Sequence, residues 1–309
     1  MQKTDRRTFM KGGLALGALG AVESTGIGRV LAAAAAKPDI VAVRGADAYA
    51  STIKALESLG GIERFVRKGG RVGLLVNAPP HWQLEGSHTR MEVVLAVAKL
   101  CLDAGAKEVI TLPPLSPRLW TGALAGTHAK VIKSIKECSG KTVQTNIPKG
   151  VALKSGKARP ELLDVDVLVD IPIAKHHIGT GFSGNLKNMM GGLDHETNTY
   201  FHSGSGKSGY EDVDFLSQCI ADLNTLRKPS LCVVDATVVL GSNGPAGPGD
   251  LLRPLKVVAG ADPVAVDAYC VTLHGRKPSE VVMLAKAAAA GVGRADLEKL
   301  SVKEIALPT

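Results

Sequence analysis

The chain has 309 residues, with 37 Lys and Arg against 29 Asp and Glu and a formal net charge of +8. Aromatics are only 4% of it, and no basic stripe interleaves with them, which argues against a nucleic-acid surface or a sugar-stacking groove. Its five cysteines (Cys101, Cys138, Cys219, Cys232 and Cys270) contain no C-x-x-C pair, so zinc ribbons and iron–sulfur clusters find no ligand spacing.

The N-terminus reads Asp5-Arg6-Arg7-Thr8-Phe9-Met10-Lys11, followed by a weakly apolar run from Gly12 to Val22 and small residues from Ala32 to Ala36. Paired arginines before an aromatic residue and a lysine match a twin-arginine export signal. Glu23 and Arg29 interrupt the run, short of the ~20 apolar residues of a membrane span. Residues 1–36 are therefore expected to be a signal read by the twin-arginine translocase, and the mature protein to be periplasmic or extracellular without a stable membrane span. Removing five bases and two acids leaves 32 bases against 27 acids, an excess suited to a small anionic ligand. Cys101, Cys232 and Cys270 lie in apolar runs and read as buried small hydrophobes.

Apolar strands and amphipathic helices then alternate. Ile40–Val43 and Val72–Val76 read as strands, Met91–Ala104 as a helix stopped by Gly105, and Val109–Leu112 as the next strand. After a proline-marked loop, Ala123–Glu137 reads as a helix, Thr142–Ile147 and Val165–Ile171 as strands, and Asp212–Leu226 as a helix. Strands at Leu231–Val234 and Val257–Val258 precede helices at Val264–Leu273 and Ser279–Ala290. Short links and strand–helix–strand order predict an α/β fold: a mixed, mainly parallel sheet with flanking helices. Residues 37–309 are expected to form one domain; the alternative is two lobes, about 37–160 and 161–309, with the site between them. Parallel sheets bind ligands at the carboxyl ends of strands, where Asn77, Asp235 and the segment after Ile171 fall.

That segment, residues 175–202, holds Lys175, Lys187 and four of the eight histidines: His176, His177, His195 and His202. Proton carriers, metal ligands and anion donors at this density mark the candidate site. Ser183 is expected to cap a short helix from about Gly184 to Met190, and Gly191-Gly192 to stop it in the left-handed region. Lys187 then falls in the first turn, opposing the helix dipole by ~0.3–1 kcal/mol. A bound anion or a covalent adduct would relieve that conflict. If extended, His176 and His177 point opposite ways, so one of them faces the site.

The chain resembles the uncharacterised domain-of-unknown-function-362 family. The resemblance rests on Asn77, Lys175-x-His177, Gly184-x-x-Lys187-Asn188 with Gly191, His202, Asp235, Asn243-Gly244-Pro245 with Gly249, and Asp262-Pro263-Val264-Ala265-Val266-Asp267. Where this chain has Leu75-Val76-Asn77, family members often have Lys-Pro-Asn, and many carry ferredoxin-type cysteines that are absent here. More distantly, His177-x-x-x-Gly181-Phe182-Ser183-Gly184-x-x-Lys187 and His88-Thr89-Arg90 are similar to motifs of nickel-pincer lactate racemases. That resemblance implies that Lys187 tethers or binds a pincer-type nucleotide, His177 acts as acid/base, and His202 ligates a metal (nickel, zinc or iron). Thr89 and Arg90 would hold an anionic group. The racemases' second catalytic histidine has no counterpart at Leu115-Ser116-Pro117-Arg118, and their double glycine is Gly184-Asn185 here.

Asp262-Pro263 reads as a helix N-cap. Asp267, among apolar neighbours, needs a cationic or metal partner and is a second metal-ligand candidate. Lys175, Ser183, Gly184, Asn188, Asn243 and Gly244 complete the candidate ligand-binding set. His81 is placed on the rim, and His128 and His274 are read as structural. The expectation is an exported enzyme doing His/Lys proton or hydride chemistry on an anionic ligand, with a metal or nucleotide-like cofactor. The alternative is a periplasmic anion- or metal-binding accessory protein without catalysis.

Overall fold

In chain order, the strands are β1 (Ile40–Arg44), β2 (Arg71–Val76), β3 (Glu108–Leu112), β4 (Ile135–Glu137), β5 (Val143–Asn146), β6 (Ser155–Ala158), β7 (Val167–Ile171), β8 (Leu231–Ala236), β9 (Val239–Leu240), β10 (Leu251–Leu252), β11 (Lys256–Gly260) and β12 (Val302–Ala306). The helices are α1 (Ala48–Ser58), α2 (Met91–Asp103), α3 (Gly122–Thr127), α4 (Ala129–Ser134), α5 (Pro160–Asp164), α6 (Asn185–Asn188), α7 (His195–Ser203), α8 (Val213–Leu226), α9 (Pro263–Thr272) and α10 (Val282–Ala289). These come from a computed structural model that describes residues 37–79, 84–207 and 212–308. The twin-arginine motif and His81 lie outside the described residues. No described helix is long and apolar enough to cross a membrane.

Eight strands form one sheet in the order β12-β1-β11-β8-β7-β2-β3-β4. Only β11 runs against the rest, antiparallel to both β1 and β8. The other neighbours pair in parallel, giving the mixed, mainly parallel α/β sheet the alternation predicts. Side chains alternate across the strands, so each strand feeds two cores. Val72, Leu74, Val167, Val169 and Ile171 pack with α1 and α2 on one face. Leu75, Leu168, Cys232 and Val234 pack with α6, α8, α9 and α10 on the other. All five cysteines are buried free thiols.

Two elements depart from the sequence reading. The helix expected over Ala123–Glu137 breaks at His128 into α3 and α4. Its last residues become β4, an edge strand beside β3, because backbone pairing at an open sheet edge outweighs weak helix preference. The strand expected at Thr142–Ile147 is β5, and it pairs with β6 in a separate hairpin rather than joining the main sheet. Helix α1, started by the Asp47 side chain accepting from Tyr49 N and Ala50 N, and edge strand β12 were not anticipated.

Candidate functional site

Neighbouring parallel strands β8, β7 and β2 deliver Asp235, the Lys175 segment and Asn77 to one rim. Beyond β7 the chain stays extended: Ala174 N donates to Asp235 O at 2.9 Å, and Lys175 and Ser183 exchange backbone hydrogen bonds at 3.0 and 2.8 Å. The intervening loop is pinned from outside. Gly244 N donates to His176 Nδ1 at 3.1 Å, and Ile178 N donates to Gly244 O at 3.1 Å. A Cβ on Gly244 would lie 1.9 Å from the His176 carbonyl oxygen, so only glycine fits. The exposed Asn243 donates through Nδ2 to Pro248 O at 3.3 Å. Asn243-Gly244 thus braces the histidine loop from behind. His274 does likewise, with Nε2 3.0 Å from Ala174 O and its ring edge-on to Phe182 at 5.6 Å. His128 stacks on Tyr49 at 4.7 Å, a packing role.

Helix α6 differs from its sequence reading. Ser183 does not cap it: the N-cap position is Gly184, which makes no side-chain cap bond. The cap comes from α9. Asp267 Oδ1 accepts from Asn185 N at 2.7 Å and Asn185 Nδ2 at 2.8 Å, and Oδ2 accepts from Leu186 N at 2.9 Å. A Cβ on Gly184 would stand 2.4 Å from Asp267 Oδ1, which accounts for the glycine. Burial still raises the Asp267 carboxyl to about 7 against these donors. Gly191-Gly192 is not a left-handed stop, since neither has positive φ. The chain runs on as a 3-10 turn, Met189–Gly192. Helix α6 is only four residues long, so Lys187, its third residue, lies in a single turn that is both first and last, and the dipole it opposes is that of one turn.

The structure brings together Lys175, His177, Lys187 and His202. The rings of His177 and His202 lie nearly parallel, with centroids 6.4 Å apart and 17° between planes. Lys175 and His177 are buried, while Lys187 and His202 keep partial exposure and mark the open side. Burial first, then the charge of Lys187, lowers Lys175 to about 7 and His202 to about 4. Burial alone lowers Lys187 to about 8. His177 is pushed far below its ordinary value by burial and then by Lys187, His202, Lys175 and His176. Its Nδ1 accepts from Gly179 N at 3.1 Å. The proton of neutral His177 therefore sits on Nε2, which makes that atom a donor. His176, turned the other way, is tied to Gly244.

Other candidates also contribute to the scaffold. Thr89 is fully buried, and its hydroxyl donates to Ile171 O at 2.9 Å. Arg90 donates its backbone N–H to Asp235 Oδ2 at 2.8 Å. Its residue lines a cleft of about 380 Å³ with His88 and Arg118, and the Lys/His cluster is not part of that lining. Asp262 caps α9 through Val264 N and Ala265 N, both at 3.0 Å. Asp267 does not share a metal centre with His202: its oxygens anchor α6, and among the described residues no three His, Cys, Asp or Glu side chains form a metal-binding group. The sequence reading missed Asp170, which is fully buried in β7 and accepts from Asn188 Nδ2 at 2.6 Å. A lone Asp in an apolar strand was its signal.

A curated relative, the Thylakoid-associated protein sll1697 of Synechocystis sp., is 26% identical over 240 residues, covering 74% of this chain and 71% of the relative. Among solved structures, the lactate racemase apoprotein from Thermoanaerobacterium thermosaccharolyticum aligns over 73% of this chain at 10% identity with a TM-score of 0.46. A protein from Thermotoga maritima aligns over 76% at 13% identity with a TM-score of 0.41. The chain spans 54% and 59% of the lengths of those two structures. The family model "Domain of unknown function (DUF362)" matches residues 72–272, more than half of the chain, and this protein belongs to that family.

Proposed function

We propose that this protein is an exported enzyme that binds a small anionic ligand at the carboxyl rim of the sheet and moves a proton on it. The observation that carries this reading is the cluster of Lys175, His177, Lys187 and His202, whose basicity is suppressed by burial and by one another. Suppressed amines are rare in a merely solvated loop and common where charge must be received from a ligand. An anion entering past Lys187 and His202 would meet two groups able to become cations and the His177 Nε2–H donor. The neutral His202 imidazole also suits a metal. Lys187 and His202 would hold a metal- or nucleotide-containing group, which would supply Lewis-acid or hydride chemistry there. Export rests on the Arg6-Arg7 motif.

The test is calorimetry of the mature protein at pH 8 with lactate, pyruvate and inorganic phosphate, in buffers of different ionisation enthalpy. A bound anion raises the depressed lysine pKa values, so saturable binding with uptake of up to one proton per site is expected, weakened at least tenfold by Lys187→Ala. Absence of saturable binding in wild type overturns the reading. Deuterium transfer from D2O into a bound carboxylate would establish turnover. Binding without exchange would leave a binding protein and overturn the enzyme.

A further inference from the structure

Behind the cluster, two amide side chains connect Lys175 to the inside of the sheet. Lys175 Nζ donates to Asn77 Oδ1 at 3.3 Å and to the Ser87 carbonyl. Asn77 Nδ2 donates to Asn188 Oδ1 at 3.0 Å. Asn188 Nδ2 donates to Leu75 O at 3.0 Å and to Asp170 Oδ1 at 2.6 Å. These residues come from β7 and the loop after it, from the end of β2, and from α6, so only the tertiary fold makes the chain.

The direction of this chain is fixed. A backbone carbonyl can only accept, so the Leu75 oxygen requires the Asn188 amide nitrogen to face it. Asn188 Oδ1 must then face Asn77, whose nitrogen is the donor, and Asn77 Oδ1 is left to accept from Lys175. Protonation of Asp170 does not reverse the order, because Leu75 O holds Asn188 in either state. At the far end, Ser87 O and Asn77 Oδ1 call for two N–H donors, which a neutral amine supplies as well as an ammonium ion does. His177 is not an equivalent carrier, since its Nδ1 is occupied by Gly179 N–H and its Nε2 already bears the proton.

We propose that Lys175 is the proton carrier of this site and that Asn77 and Asn188 are its positioning residues, a one-way hydrogen-bond relay anchored on Leu75 O and Asp170. This assignment rests on the anion-binding reading above and moves the acid/base role from His177 to Lys175. The neutral amine takes a proton from an acidic X–H bond of the bound anion. An N–H bond forms, the X–H bond breaks with its electron pair left on X, and the ammonium later returns the proton. His177 Nε2–H donates to the charge that develops on the ligand. Among the described residues, the ionisable groups around Lys175 include Lys187 on α6, His177 in its own loop with His202 of α7 stacked against it, His88 beside Ser87 and, behind the asparagines, Asp170 with Asp267 beyond it.

The relay is tested without any ligand, by 13C NMR titration of lysine-labelled full-length protein, with the Lys175 and Lys187 signals assigned through Lys175→Arg and Lys187→Arg. Asn77→Ala sits on the partly exposed rim. It removes an acceptor of the ammonium form and should lower the Lys175 midpoint by about one pH unit. Asn77→Asp should raise it. Asn188→Leu, which does not touch Lys175, should lower it while leaving the midpoint of its helix neighbour Lys187 in place. A wild-type Lys175 midpoint near 10, or an Asn188→Leu effect on Lys187 and not on Lys175, overturns the proposal. So does a His177 15N spectrum with the proton on Nδ1. Should Asn188→Leu not fold, the opposite signs for the two Asn77 variants decide. Anion binding is scored separately, so either reading can fail while the other stands.

Discussion

On one face of the sheet, α1 and α2 cover Val72, Leu74, Val167 and Val233 chiefly with apolar side chains, the small hydroxyls of Ser51 and Thr52 on α1 being buried among them. On the other, α6 and α9 hold Asp170, Asp267, Asn185 and Asn188 at the same depth of burial. The first face is held by area and volume, so damage to it should scale with the atoms removed. The second is held by paired polar groups, where losing one partner strands another in a region without water. The site sits on the second face. Accurate placement of Lys175 and Lys187 comes from directional bonds, and directional bonds in the interior demand complete sets.

The sharpest way to break this comparison is to remove Asp267. Asp267→Ala strands three donors on Asn185 and Leu186, and should destabilise the protein by roughly 3–6 kcal/mol in urea unfolding and abolish anion binding. Leu74→Ala on the opposite face should cost roughly 2–5 kcal/mol and leave anion affinity within twofold. If both variants lose binding in proportion to lost stability, the two faces do not differ in kind.

The pH dependence sharpens the comparison further. The folded pKa of Lys175, about 7, lies below the ordinary lysine value of 10.5. Between those values the unfolded chain binds more protons than the folded one, so stability rises with pH there. Lys175→Met should flatten the rise from pH 7 to pH 9 by on the order of 2 kcal/mol. The window starts at pH 7 because Asp267, raised to about 7, contributes the opposite slope below it. Identical slopes in the two proteins would show that Lys175 is not depressed. At the small end, Lys99→Ala breaks the exposed pair with Asp103 on α2. It should change stability by less than about 0.5 kcal/mol; a larger loss would mean that the apolar face leans on charge as well.

The candidate segment was legible because Lys175, His177, Lys187 and His202 fall within 28 residues of one another in sequence, directly after an apolar strand. Its convergence was not legible. His202 reaches His177 only because α7 turns back over the loop, and Lys175 joins them from the strand end. The Ser183 cap was a sound local inference that a remote carboxylate displaced: Asp267 lies 83 residues beyond Gly184, and no local rule can find such a partner. The resemblance implies a ligand role for Thr89 and Arg90; the Thr89 hydroxyl is committed to a strand carbonyl, while Arg90, whose backbone N–H donates to Asp235, lines a cleft beside the site.

By itself the sequence determined the alternation of strands and helices, the parallel character of the sheet, the rim on which polar residues gather, and family membership. Periodicity, turn residues and short motifs act over a few residues and survive in one dimension. The tertiary structure decided the reversal of β11, the diversion of β5 into a hairpin, the cap on α6, the tautomer of His177 and the relay from Asp170 to Lys175. Each depends on which distant groups share a buried volume, and there a hydrogen bond must be completed by whatever partner the fold brings within 3 Å.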